Sequence, residues 1–90
     1  MATVRFTSAL QRFYPDLDSF STDLTDIVEL LNFLEGKWPG MKDYLVDERN
    51  RLRKHVNIFI DGTLITDREH LSDPIPLDGE IYFFQALSGG

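Results

Sequence analysis

The ninety-residue chain has no cysteine. Disulfides and thiolate metal sites are excluded, and so is a thiol nucleophile or persulfide of its own; any sulfur it handles must be held elsewhere. Cations are scarce as well, with nine Lys and Arg against fifteen Asp and Glu and a net charge of -6. Such a balance repels phosphate backbones and argues against nucleic acid as the main partner. No run approaches the roughly 18 apolar residues of a membrane span, and the opening Met1-Ala2-Thr3-Val4-Arg5-Phe6 lacks the apolar core of a signal peptide. A cytoplasmic protein with no membrane partner is expected.

What is present is a core. The chain is 42% hydrophobic and 12% aromatic, with seven Phe, rich enough for one packed domain and incompatible with a disordered composition. Charge is spread evenly: residues 1–45 carry four basic and seven acidic side chains, residues 46–90 five and eight, so each half is -3. No acidic tail stands apart, and no repeat or low-complexity segment is found.

Thr3-Val4-Arg5-Phe6-Thr7 alternates apolar and polar residues and reads as a first strand with Val4 and Phe6 facing a core. Ser8 to Pro15 reads as a connection anchored by Leu10, Phe13 and Tyr14, and residues 16–21 as a short second strand. From Asp26 to Lys37 the period changes, with Ile27, Leu30, Leu31 and Leu34 on the stripe of a helix lying on a sheet. Thr25 or Asp23 is the expected cap, and Gly36, Pro39 and Gly40 end the element. One further turn over 39–45 turns Met41, Tyr44 and Leu45 inward, Trp38 and Tyr44 marking the core edge. Residues 47–54 are polar and aperiodic, a surface loop.

His55-Val56-Asn57-Ile58-Phe59-Ile60 is β-prone, and Asp61-Gly62 predicts a tight hairpin turn into Thr63-Leu64-Ile65. An irregular stretch held by Leu71, Ile75 and Leu77 follows; Asp78-Gly79 makes another turn, and Glu80 to Gln85 forms the last strand. One apolar helix face and one sheet give a two-layer α+β domain over 1–85, with 86–90 as a flexible tail. Strand alternation sends Val56, Ile58, Ile60, Ile81 and Phe83 toward the helix, and Asn57, Phe59, Tyr82 and Phe84 away from it. Aromatics on an outward face are a docking anchor for protein partners, the competing reading being that the 67–77 loop covers them.

The chain closes on Ala86-Leu87-Ser88-Gly89-Gly90. Glycine there has no turn to complete and no helix to cap. Two slim residues fit a narrow channel and leave a terminal carboxylate open to attack, although the dipeptide alone is equally compatible with a frayed end. The remaining signals are weak. His55 and His70 have no third ligand at metal spacing, so no metal site is expected. Acid pairs such as Asp47-Glu48 lack a pocket, and the cations Arg49, Arg51, Arg53 and Lys54 read as a solvated loop.

The order strand, strand, helix, strands, with Val56-Asn57-Ile58-Phe59-Ile60-Asp61-Gly62, Leu77-Asp78-Gly79-Glu80-Ile81-Tyr82 and the closing Gly89-Gly90, resembles the ubiquitin-like β-grasp sulfur carriers of the MoaD and ThiS type. Trp38-Pro39-Gly40 and Leu52-Arg53-Lys54-His55 resemble the longer members, including the cysteine-synthesis carriers and archaeal ubiquitin-like modifiers. The resemblance implies a mixed sheet of four or five strands with one main helix on one face. It implies that the Gly90 carboxylate, presented by Gly89, is adenylated and converted to a thiocarboxylate that donates sulfur in making cysteine, molybdopterin or a related product. The chain is then not an enzyme and binds no cofactor; ATP is used by an adenylating partner of the ubiquitin-activating type, and a sulfur-accepting biosynthetic enzyme is the second partner. Phe59, Tyr82, Phe84, Leu87 and Ser88 are the expected partner contacts, on a chain monomeric when free. The alternatives are a modifier joined to lysines through Gly90 and a non-covalent interaction domain.

Overall fold

Strands from the two ends of the chain lie side by side in the middle of one sheet. The computed structural model describes residues 1–85. In it β1 (Ala2–Phe6) pairs in parallel with β5 (Glu80–Gln85), Val4 opposite Ile81 and Phe6 opposite Phe83. β2 (Phe20–Thr22) flanks β1, β3 (Val56–Ile60) flanks β5, and β4 (Thr63–Leu64) closes the other edge, all antiparallel, in the order β2-β1-β5-β3-β4. A parallel pair cannot be joined by a tight turn, so the chain between must cross over the sheet. That crossover carries α1 (Ser8–Phe13), α2 (Ile27–Lys37) and α3 (Met41–Leu45). The α+β class and the mixed five-stranded sheet expected from the sequence are what the chain adopts.

α2 buries Ile27, Leu30, Leu31 and Leu34 in one cluster with Val4, Phe6, Val56, Ile58, Ile81 and Phe83 of the sheet. Its start differs from expectation by one residue. Asp26 is the cap rather than the first helical residue: it is extended, and its Oδ1 accepts from the N–H groups of Val28 and Glu29 at 2.8 and 3.3 Å. At the other end Glu35 reaches past the helix terminus and accepts from the N–H groups of Gly40 and Lys42, both at 2.9 Å. Those two bonds hold its carboxyl below the usual range and tie α2 to α3. Gly40 sits at φ 96°, where a side chain is strained.

Both Asp-Gly turns form. Asp61 and Gly62 have φ 51° and 81°, the pair of positive values that a two-residue hairpin requires. Gly79 is needed for closeness: a Cβ there would lie 2.9 Å from the Pro76 Cβ and 3.0 Å from the Asp61 Oδ1. That same Oδ1 accepts from the Glu80 N–H at 2.9 Å, so the two turns brace each other.

Several local expectations are corrected. Residues 8–13 are helical rather than a plain connection; six residues are too few for an apolar period to register. Leu10 is fully buried there and Tyr14 packs on the core, but Phe13 is 60% exposed. The second strand lies at Phe20–Thr22, not over 16–21, because its position is set by pairing Ala2 with Thr22 and Val4 with Phe20. Leu77, expected to hold its loop, is 68% exposed, whereas Leu71 and Ile75 are buried. The 47–54 loop carries a buried Leu52, bridged to Val46. Trp38 and Tyr44 pack at the core edge as read.

Removing the cap with Asp26→Ala should cost about 1 kcal/mol, measured by urea denaturation. Acid stability has a second test in Asp67, which accepts from the Ser72 hydroxyl and the His70 and Glu69 N–H groups. The Ser72 hydroxyl foremost, then the His70 N–H, brings its pKa down from 3.8 to about 2. A folded-state value below the unfolded one gives stabilisation that is complete above 3.8 and lost as pH falls through about 2. Asp67→Asn should therefore flatten the acid limb of the stability profile in that window, read by thermal melts at stepped pH.

Candidate functional site

The helices cover one face of the sheet, and alternation decides what the other shows. In β3, Val56 and Ile58 are buried while Asn57 and Phe59 are turned away; in β5, Ile81 and Phe83 are buried while Tyr82 and Phe84 are turned away. Register then assembles a row. Arg5 lies opposite Tyr82, Tyr82 opposite Phe59, and Phe59 opposite Leu64, so four adjacent strands each contribute one side chain to one line. At about 4.8 Å between strands that line runs some 14 Å across the sheet.

Phe84 stands beside this row, and its ring meets Phe59 and Tyr82 edge-on at 6.2 Å each. Edge-to-face contact is the preferred arrangement of two aromatic quadrupoles. The Arg5 guanidinium lies over the Tyr82 ring at 5.6 Å and reaches Glu80 at 3.3 Å. Phe59, Tyr82 and Phe84, singled out from the sequence, are thus brought into one cluster. Phe84 is 37% exposed and Leu64 44% exposed, while Phe59 and Tyr82 are half-buried, and Arg68 of the loop after β4 donates to Asn57 on this face. Leu64 and Arg5 were not foreseen as members. Continuing the alternation through the hairpin would have found Leu64, whereas Arg5 depends on the parallel register of β1 with β5.

Leu87, Ser88, Gly89 and Gly90, the other expected site residues, lie outside the described residues, as does the tail as a whole. What leads into them is described. Gln85 is the last residue of β5 and is 8% exposed. Its N–H donates to the Thr7 Oγ1 at 3.4 Å, and its Nε2 donates to the Tyr44 hydroxyl at 2.6 Å. Tyr44 also packs against Phe13 and His55, with ring centroids 5.2 and 6.2 Å apart. The point from which residues 86–90 depart is therefore held from β1's end, from α3 and from the segment before β3. Polar residues buried around Gln85 were missed from the sequence because no local pattern marks a contact between positions 41 residues apart.

Among the described residues no three His, Asp or Glu side chains gather to hold a metal. His55 faces Tyr44, and His70 lies 3.8 Å from the Asp67 carboxylate. No helix among the described residues is long and apolar enough to cross a membrane.

No protein-family model matches the chain, and no curated protein matches it in sequence. Solved structures do match in shape. A chain of the Amycolatopsis orientalis BexX/CysO complex superposes with a TM-score of 0.81 at 19% identity, covering 100% of both chains. CysO of Mycobacterium tuberculosis gives 0.79 at 19% identity over 97% of this chain and 100% of that one. SAMP1 from Haloferax volcanii gives 0.73 at 18% identity over 99% and 98%. At this identity the likeness establishes the fold, which is the ubiquitin-like β-grasp.

Tyr44→Phe removes the acceptor of the buried Gln85 amide. It should cost about 1–2 kcal/mol and speed hydrogen exchange at the end of β5 more than elsewhere in the sheet, read residue by residue by NMR.

Proposed function

We propose that this chain is a sulfur carrier whose Gly90 carboxylate is activated by a partner enzyme. The observation that carries the reading is the whole-length sharing of the β-grasp fold with CysO, on a sequence that puts three residues between the central strand and Gly89-Gly90. A carboxylate is a poor electrophile because its charge repels nucleophiles and oxide leaves badly. Attack of a Gly90 oxygen on the α-phosphorus of ATP expels pyrophosphate and gives an acyl adenylate. Hydrosulfide then adds at the acyl carbon, AMP leaves with the C–O electron pair, and a thiocarboxylate remains. If a persulfide delivers the sulfur, the second thiol that completes S–S cleavage comes from the partner, since this chain has no cysteine. The row of Phe59, Tyr82 and Phe84 is the docking face in this reading, desolvated against the adenylating enzyme and later against the sulfur-accepting one.

A second reading has its own support, because SAMP1 of Methanosarcina acetivorans, with a TM-score of 0.71 at 22% identity, is a small archaeal modifier protein. There an amine of a target protein attacks the same acyl carbon. The two readings share every step up to the adenylate and part at the nucleophile.

Intact mass after incubation with ATP, sulfide and the adenylating partner tests both. A gain equal to sulfur replacing oxygen, mapped to Gly90, is expected for the carrier; isopeptide-linked adducts without that gain favour the modifier. Gly89→Val and Gly90→Val should abolish the mass change and leave the melting temperature unaltered. Phe84→Ser should keep the fold and weaken partner binding about tenfold, measured by calorimetry.

A further inference from the structure

Beyond the aromatic row, the segment before β3 and the loop after β4 enclose a cleft of about 540 Å³. Arg51, Arg53, Lys54, His55 and Arg68 line it together with Asp47 and Glu69. On a chain of net charge -6 this is a local concentration of cations, and their partners decide what it can do. Arg51 is neutralised by Asp47 at 3.1 Å. The Arg68 guanidinium donates to the Asn57 Oδ1 at 2.9 Å and to the carbonyls of Arg53 and Val56 at 2.7 and 2.8 Å. The Arg53 Nε donates to the Asp43 carbonyl at 2.9 Å. Every one of those acceptors is uncharged, so both guanidinium groups are held in place without being neutralised. Among the described residues, neither they nor Lys54 has a carboxylate at ion-pair distance.

Fixed guanidinium groups with N–H donors to spare are suited to carboxylate and phosphate oxygens. The lining discriminates between the two. Asp47 is taken up by Arg51, but Glu69 also lines the cleft and opposes a ligand that packs its charge onto contiguous atoms, as a polyphosphate does. Carboxylates on an extended peptide are spaced by about 3.3 Å per residue and alternate in direction, so an acidic peptide distributes its charge among separate cations instead of concentrating it. Arg53 and His55 also line a second hollow of about 320 Å³, to which Tyr44 and Gln85 contribute as well. The two hollows thus share residues, and the last residue of β5 lines the second.

We infer that this cleft is a docking site for a short acidic segment of a protein partner. That the partner is the activating or accepting enzyme rests on the function proposed above; the preference of the cleft for an acidic peptide does not.

The test is an NMR titration of the ¹⁵N-labelled full chain with hexaglutamate at low ionic strength. Amide shifts should concentrate at residues 51–55 and 68–69, weaken as salt shortens the screening length, and fall about tenfold or more in affinity in Arg53→Gln/Lys54→Gln. Lys54→Gln alone touches no internal hydrogen bond and guards against misfolding; it should show the same trend. Shifts centred elsewhere, salt-insensitive binding, or equal binding by the variants would overturn the inference. Tighter binding of tripolyphosphate or a single-stranded DNA oligomer than of hexaglutamate would overturn it in favour of a phosphate ligand. No ATP or enzyme enters this titration, so its failure leaves the mass test of Gly90 intact, and the converse holds.

Discussion

Parallel pairing of β1 with β5 is the constraint on which the rest of this molecule depends. Antiparallel neighbours can be made by a turn, but this pair joins residues more than seventy positions apart in sequence, and its loop-closure entropy must be recovered by everything packed on it. Phe6 stacked on Phe83 at 5.5 Å sits at the junction. Phe20 extends the contact to Trp38 at the end of α2, with centroids 6.4 Å apart. The same pairing puts the strand that leads to Gly89-Gly90 at the centre of the sheet, flanked on both sides, so the C-terminal residues depart from the most constrained strand rather than from an edge.

A sheet covered by helices on one side only must present two chemistries. The buried side is aliphatic and aromatic apart from Thr22 and Gln85. The open side mixes an aromatic cluster with Arg5 and Glu80, and its exposed apolar area is continuous because register, rather than proximity in sequence, lines up Leu64, Phe59 and Tyr82. Beside it the 47–55 segment and Arg68 use backbone carbonyls to hold cations in position. Apolar contact and unneutralised positive charge therefore flank the residue from which the tail departs. In the function proposed above the chemistry is supplied by the partner, and such a surface serves recognition.

Much of this was legible in the residues. The helix stripe of α2, the β3–β4 hairpin and the alternation of β3 and β5 are each encoded within a dozen neighbours, and each forms as read. Where the reading slipped, the cause was range. α1 is shorter than the period that would announce it, and β2 takes its place from β1. The cap of α2 moved by one residue because Asp26, Thr25 and Asp23 are all competent caps and only the entry path of the chain selects among them. Leu77 and Leu52 exchanged roles, one exposed and one buried, since the apolarity of a lone loop leucine does not say which way the loop is folded.

By itself, then, the sequence determined the element types, the two faces of each strand, the net acidity and the absence of any thiol, because all of these are local or additive properties. The tertiary structure alone decided which strands are neighbours, and with that the row from Arg5 to Leu64, the burial of Gln85 against Tyr44 and Thr7, and the conversion of a loop of alternating charges into a cationic cleft. Those depend on register and crossover, and contact between distant positions leaves no period in a single chain for a reader to find.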